Sequence, residues 1–267
     1  MSVVRTSDAE LVRLRDELSV REIAIVSQVA ELLLMSGRQI ARVHFADEAH
    51  GSAEAASRAC RRSLERLAWN RLLIRLERRI GGVRAGSGSF VYALGPVGQR
   101  LIGLDGPRRR FREPSASFVD HTLAVSELVV ELILADRAGR VELLEAQAEP
   151  ACWRSYSDMS GRKLLRPDLF VALGIGEYEL RHFIEMDRGT EHLPAVLRKC
   201  RAYDAYYRSG REQARHEVFP RVLWIAPNER RCHQIATAIG RDGRLNGSLF
   251  AATTTDGAVE YLAGGER

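Results

Sequence analysis

Lysine is almost missing from this chain. Of 40 basic residues among 267, only Lys163 and Lys199 are lysine, and all the others are arginine. Arginine favours planar, forked contacts to phosphate and guanine, although a GC-rich coding sequence would produce the same skew. The net charge of +5 is modest, so charge alone leaves nucleic-acid binding open. Cysteine is scarce as well: Cys60, Cys152, Cys200 and Cys232 lie far apart and match no metal-ligand spacing. Three of them lie in helix-like segments and read as ordinary buried thiols, which suits a reducing cytoplasm. No apolar run approaches the roughly 20 residues of a membrane span, and the N-terminus has no signal-peptide core, so no membrane partner is expected. What remains is 45% hydrophobic and organised in amphipathic segments, enough for a folded chain of two domains.

The first third opens three helices with cap signals. Ser19 to Glu22 and Ser36 to Gln39 have capping-box spacing, and Ser52 precedes a third helix over about 53–69. Ile23, Val26, Val29, Ala30 and Leu33 form the expected buried stripe of the first helix. The third should bury Ala56, Ala59, Cys60, Leu64 and Leu67 while its other faces carry Arg58, Arg61, Arg62 and Arg66. After Asn70 the period changes to two. Leu72, Ile74 and Leu76 form one strand, and Phe90, Tyr92 and Leu94 its return, around a glycine-rich tip carrying Arg79 and Arg84. Three helices followed by a hairpin is the order of a winged helix-turn-helix, whose third helix enters the major groove. On that reading Arg58, Arg61, Arg62 and Arg66, with Arg79 and Arg84 on the wing, bind double-stranded DNA. The alternatives are a solvated helix face or a winged helix that binds protein.

Residues 104–117 read as a basic linker between domain 1–103 and domain 118–267. Arg108 to Arg110 in it either track a DNA backbone or are simply solvated. Beyond it, the periodicity predicts a helix near 119–136, strands at 141–148, within 163–173 and at 178–187, a helix over 191–209, a strand at 222–226, a helix from 228 to about 240 and a last strand near 249–255. This is a mixed α/β domain.

Acidic residues cluster on two of these strands. Glu185 and Asp187 are two apart and share a strand face with Phe183, while Asp168 follows Pro167 at the start of the preceding strand. If those strands pair as a hairpin, Asp168 meets Glu185 at one end of the sheet, where hard oxygens would suit Mg²⁺ or Mn²⁺. Lys199 and Tyr203 are four apart on the following helix and share a face, from which Lys199 could reach the same site. Tyr203 reads as a hydrogen-bond donor, a base stacker or a nucleophile. In the bland reading Asp168 caps a turn, and Glu185 and Asp187 pair with arginines such as Arg166 and Arg188.

The helix-turn-helix pattern, the helix from His121 to Val125, Arg166-Pro-Asp168, the run from Phe183 to Glu191 and the pair Lys199 and Tyr203 together resemble the replication-relaxation family of plasmids and mobile elements. The resemblance runs from about Val20 to Thr255 and implies a PD-(D/E)XK nuclease-like fold for the C-terminal domain. It implies Asp168 and Glu185 as metal ligands, with Glu127 or Glu131 as the acidic residue of the first helix. Asp168, Glu185, Asp187 and Lys199 become the catalytic candidates, and Mg²⁺ or Mn²⁺ the cofactor. Double-stranded DNA is the expected partner, together with a second copy of the chain or other replication and transfer proteins. One position departs from the family motif: Asp187 stands where cutting nucleases have lysine. Either Lys199 supplies that charge from the helix or the domain binds DNA without cutting it.

Overall fold

Four serines open the first four helices. In the computed structural model, which describes residues 7–45, 51–76, 89–103, 113–158 and 161–264, Ser7 caps α1 (Asp8–Glu17), Ser19 α2 (Val20–Leu32), Ser36 α3 (Gly37–His44) and Ser52 α4 (Ala53–Trp69). Both expected capping boxes form. Ser19 Oγ accepts the Glu22 amide at 3.2 Å while Glu22 accepts the Ser19 amide at 3.0 Å, and Ser36 and Gln39 repeat the exchange at 3.2 and 2.8 Å. Each cap satisfies end groups of the helix that would otherwise lack partners, an effect worth about 1 kcal/mol. His50, Arg79, Arg84 and Arg108 to Arg110 lie outside the described residues.

The cap corrects one stripe. The buried residues of α2 are Glu22, Ile25, Val26, Val29 and Leu32, whereas Ile23 is only half-buried and Leu33 leaves the helix at a φ of 65°. Ser19 sets the phase: its box partner Glu22 turns inward, and the apolar face is counted from there. The face of α4 buries Ala56, Cys60, Leu64 and Leu67 as expected, whereas Ala59 at its margin is only half-buried.

Strands β1 (Leu34–Ser36), β2 (Leu73–Arg75) and β3 (Val91–Leu94) form a small antiparallel sheet in the order β1-β3-β2. β1 had no alternating signal of its own, because three residues between two helices are too few to carry a period. The expected one-sided strand also fails in detail: Leu72 and Leu73 are both buried. α5 (Pro96–Leu101) and the 22-residue α6 (Ala116–Arg137) follow. Gln39 of α3 donates to the Leu123 carbonyl at 2.9 Å and to Glu127 at 2.8 Å, and Ser126 donates to the Leu34 carbonyl at 2.7 Å. These bonds join the middle of α6 to α3 and β1.

The chain divides into two compact units, Met1–Val130 and Glu131–Arg267, with the break inside α6. The second unit contains β4 (Glu142–Ala148), the hairpin β5 (Arg154–Asp158) and β6 (Gly161–Leu165), then β7 (Leu169–Ile175) and β8 (Tyr178–Met186). Next come α7 (Leu193–Arg208), α8 (Arg211–His216), β9 (Arg221–Ala226), α9 (Glu229–Arg241), β10 (Phe250–Thr254) and α10 (Ala258–Leu262). Five strands make one mixed sheet in the order β10-β9-β8-β7-β4; β4, β7 and β8 pair antiparallel, and β8, β9 and β10 parallel. The single strand expected within 163–173 is two, divided at Arg166-Pro167-Asp168, because Pro167 has no amide to lend to a ladder.

One face of the sheet carries Phe170, Phe183, Val222 and Trp224, packed with Val196, Cys200, Tyr203 and Tyr206 of α7 and with Ile235 and Ile239 of α9. The four cysteines are free thiols. Burial pushes Cys60 up to about 11 and Cys152 and Cys200 up to about 12, so these three are structural, unreactive groups. Among the described residues no helix is long and apolar enough to cross a membrane.

Candidate functional site

β7 and β8 pair with Leu169 opposite Ile184 and Phe170 opposite Phe183. One step further along the same register sets Asp168 opposite Glu185, and the Asp168 amide indeed donates to the Ile184 carbonyl at 3.2 Å. Directly opposed side chains on an antiparallel pair sit about 5 Å apart at Cβ. Both are buried, Asp168 at 8% exposure and Glu185 at 1%. Asp168 Oδ2 accepts the Met186 amide at 2.8 Å, which fixes its carboxylate across the end of the pair.

α7 supplies the donors. It starts at Leu193 with Pro194 in its first turn, and Lys199 and Tyr203 project from one side, one turn apart. Lys199 Nζ donates to Glu185 Oε2 at 2.8 Å and Tyr203 Oη donates to Oε1 at 2.6 Å. Lys199 also lies 3.6 Å from Glu191 Oε1 and 5.8 Å from the ring centre of Trp224. The structure thus brings Asp168, Glu185, Lys199 and Tyr203 together. The alternative that paired Glu185 with an arginine does not hold: its partners are a lysine and a phenol, while Arg166 lies over the Trp153 ring at 4.9 Å.

The electrostatics follow from burial. Desolvation, reinforced by the Asp168 charge, pushes the Glu185 carboxyl up to about 8 against the opposing pull of Lys199 and Tyr203. Burial alone would lower the Lys199 ammonium, but Glu185, Asp168 and Glu191 outweigh it and raise it, so it keeps its charge. Burial and then Glu185 hold the Tyr203 phenol far above its ordinary range. With 1% of its surface exposed, Tyr203 is neither a base stacker nor a ready nucleophile; it is the donor that orients Glu185.

Asp187 has other partners. Its Oδ2 accepts Arg231 Nε at 2.8 Å and the same guanidinium's terminal nitrogen at 2.6 Å, and its Oδ1 accepts the Gly189 amide. Arg231 also donates to the Glu191 carbonyl at 2.6 Å. The parallel pairing of β8 and β9 explains the match. Both strands end at the same edge, so α9, which follows β9 after a short turn, begins beside the end of β8, and the Asp187 amide bonds the Ile225 carbonyl at 2.9 Å. An acid near the first turn of a helix is favoured by the helix dipole. Gly189 completes the turn at a φ of 75°, where a side chain is strained and a Cβ would also touch Pro227 at 3.4 Å. Arg231 is the residue the sequence reading missed; its only signal was a helix start immediately after a buried strand.

Two carboxylates thus share the site and the third serves the turn. Among the described residues no group of three or more His, Cys, Asp and Glu side chains is arranged to hold a metal ion. Glu127, one of the two expected first-helix acids, is taken by Gln39 and Arg42. On α4, Arg58, Arg61 and Arg62 are exposed at helical spacing, and none of them has an ion pair among the described residues. Arg66 differs, donating to the Glu17 carbonyl at 2.7 Å and lying 3.5 Å from Glu22.

No curated protein and no solved structure matches the chain. A family model, replication-relaxation, matches residues 27–222, well over half of the 267 and somewhat less at each end than the motifs suggested. The matched span contains the end of α2, the capped helices α3 and α4, the Asp168 and Glu185 strands, the glycine turn and the Lys199 and Tyr203 helix. The chain belongs to the replication-relaxation family.

Proposed function

We propose that this chain is a DNA-binding protein of plasmid or mobile-element replication or relaxation, with a winged helix in its first unit and a PD-(D/E)XK-like core in its second. Family membership supports the role. The winged-helix reading is supported by α2, α3 and α4 followed by the β2–β3 pair, with the exposed Arg58, Arg61 and Arg62 on the third helix of that series. The nuclease-like reading is supported by the order helix, three sheet strands, helix, strand, with an acid at the start of β7 and another at the end of β8.

The observation that carries the proposal furthest is the facing pair Asp168 and Glu185 with Lys199 and Tyr203 upon it. Magnesium commonly uses one or two protein carboxylates and completes its shell with water and phosphate, so two carboxylates fit Mg²⁺ or Mn²⁺. Glu185, lifted by burial and then by its neighbour's charge, is a site where added positive charge is favourable. Asp168 and Glu185 would hold the ion, which would neutralise a phosphate and activate water. Lys199 keeps a fixed positive charge beside the reacting phosphate, and Tyr203 keeps its proton on Glu185 and so holds that carboxylate in place. Purified protein should nick supercoiled plasmid carrying its own replication region in Mg²⁺ or Mn²⁺. Asp168→Ala or Glu185→Ala should slow nicking by about a hundredfold or more, because such charge stabilisation is worth several kcal/mol and each 1.36 kcal/mol is tenfold.

A second reading is favoured by Asp187, which stands at the lysine position of cutting nucleases and is held by Arg231. In that reading the domain clamps DNA and cuts nothing. It requires a DNA complex that survives chelation of divalent metal and is unchanged by Asp168→Ala, with no nicking under any metal.

For the first unit, replacing Arg58, Arg61 and Arg62 together by Ala should weaken duplex binding by about tenfold or more and lower the slope of log affinity against log salt by about one for each arginine that contacted a phosphate. Gel-shift titrations across a salt series measure both. Unchanged affinity would instead mark α4 as a protein-binding face.

A further inference from the structure

A cavity of about 450 Å³ opens on the β5–β6 side of the second unit, within the size range of about 300–1,000 Å³ in which small ligands are held. Its wall comes from β5, β7, β8 and α8, through Arg154, Phe170, Arg181, Arg215 and His216, with Trp153 beside them. The one carboxylate among the described lining residues, Glu145, accepts the Gln147 side-chain amide at 2.5 Å. The lining is therefore cationic and aromatic together.

The cations differ in what they are free to do. Arg154 is fixed, its guanidinium 5.2 Å from the Phe170 ring centre and 5.6 Å from that of Phe183, with Glu212 at 3.7 Å. Arg181 is engaged by Glu179 at 2.7 Å. Arg215 is exposed and has no ion pair among the described residues, so its guanidinium is available to an incoming anion. Trp153 carries Arg166 over its ring, and its indole N–H is buried without a hydrogen-bond partner. Phe170 is two residues from Asp168 on one strand face, so the cavity lies about 7 Å along β7 from the carboxylate pair.

We propose that this cavity binds a nucleotide unit, its phosphate on Arg215 and its base against Trp153. A bare phosphate would leave the aromatic wall without a contact, and an uncharged ring would leave Arg215 without one. A base stacked inside a duplex is not available to a cavity, so the unit comes from a free nucleotide or from a single strand. The site is separate from α4, and its failure would leave duplex binding through Arg58, Arg61 and Arg62 intact.

The test uses the full chain, thymidine 5′-monophosphate, thymidine, inorganic phosphate and a short oligothymidylate, read by calorimetry and tryptophan fluorescence. The monophosphate or the oligothymidylate should bind more tightly than thymidine or phosphate. Arg215→Glu, at an exposed position that does not hold the fold, should weaken that binding by about tenfold or more, the scale of one lost charge-assisted hydrogen bond. Trp153→Phe should remove the fluorescence change while circular dichroism stays that of the parent. Binding of the monophosphate identifies a free nucleotide as a sufficient ligand, and binding of the oligothymidylate alone identifies a single strand. Absence of binding by both, or binding that Arg215→Glu leaves unchanged, overturns the proposal.

Discussion

Replacing Arg231 by alanine should destabilise the second unit by about 3–5 kcal/mol, the usual penalty for stranding one partner of a buried ion pair. The side chain of Asp187 is fully buried and that of Arg231 is 12% exposed, so water cannot take over the lost contacts. The same change removes the donor to the Glu191 carbonyl that holds the turn after β8. For a unit of this size the melting point should fall by roughly 10 °C. Most of the loss comes from an uncompensated charge, so adding Asp187→Asn to Arg231→Ala should restore part of the stability. Denaturant unfolding of the two single variants and the double variant gives the coupling. An Arg231→Ala protein that unfolds at the parent's midpoint would show that the pair is not holding this edge of the sheet.

The second large effect lies in pH. Glu185 has a folded value near 8 against an ordinary 4.5, raised by burial and by Asp168. The folded chain therefore binds a proton at this position that the unfolded chain has already released, and stability from Glu185 declines as pH rises from about 4.5 to about 8. Lys199 is protonated in both states across that window and does not alter the sign. Glu185→Gln removes the titrating group, so the variant should gain on the parent as pH rises from 5 to 9. The gain should be at least roughly 1.4 kcal/mol, the free energy of a tenfold difference in proton affinity between the folded and unfolded chains. Parallel denaturation series at several pH values measure the difference. A constant offset between the two proteins would mean that Glu185 stays ionised when folded, fully matched by Lys199 and Tyr203.

These two tests separate the roles of one motif. The run from Glu185 to Glu191 holds a carboxylate for the site, a carboxylate for a turn, a glycine that permits the turn and a carbonyl that anchors Arg231. Only the first of these belongs to the candidate site. The others keep β8, β9 and α9 in register, which is why a stretch that reads as an acidic active-site motif divides into chemistry and architecture once folded.

Local signals were the legible ones. The Ser19 and Ser36 capping boxes, the buried face of α4, the two-residue period of β7 and β8 and the side shared by Lys199 and Tyr203 all depend on residues within a turn or a strand of each other. Once β7 and β8 are taken as an antiparallel pair, alternation alone brings Asp168 opposite Glu185, so the heart of the candidate site was open to sequence reasoning. The partner of Asp187 was not. It depends on β9 lying parallel to β8, a pairing across more than thirty residues that no local period encodes, and this alone carries Arg231 to the end of β8. The β5–β6 hairpin and its cavity escaped for a different reason: its pairing is local, but mostly exposed strands beside a buried sheet have neither a clean apolar alternation nor a capped end. Side-chain order along the chain determined which residues could share a face; long-range strand pairing decided which charges meet, because burial makes an ion pair's value depend on a neighbour the sequence places far away.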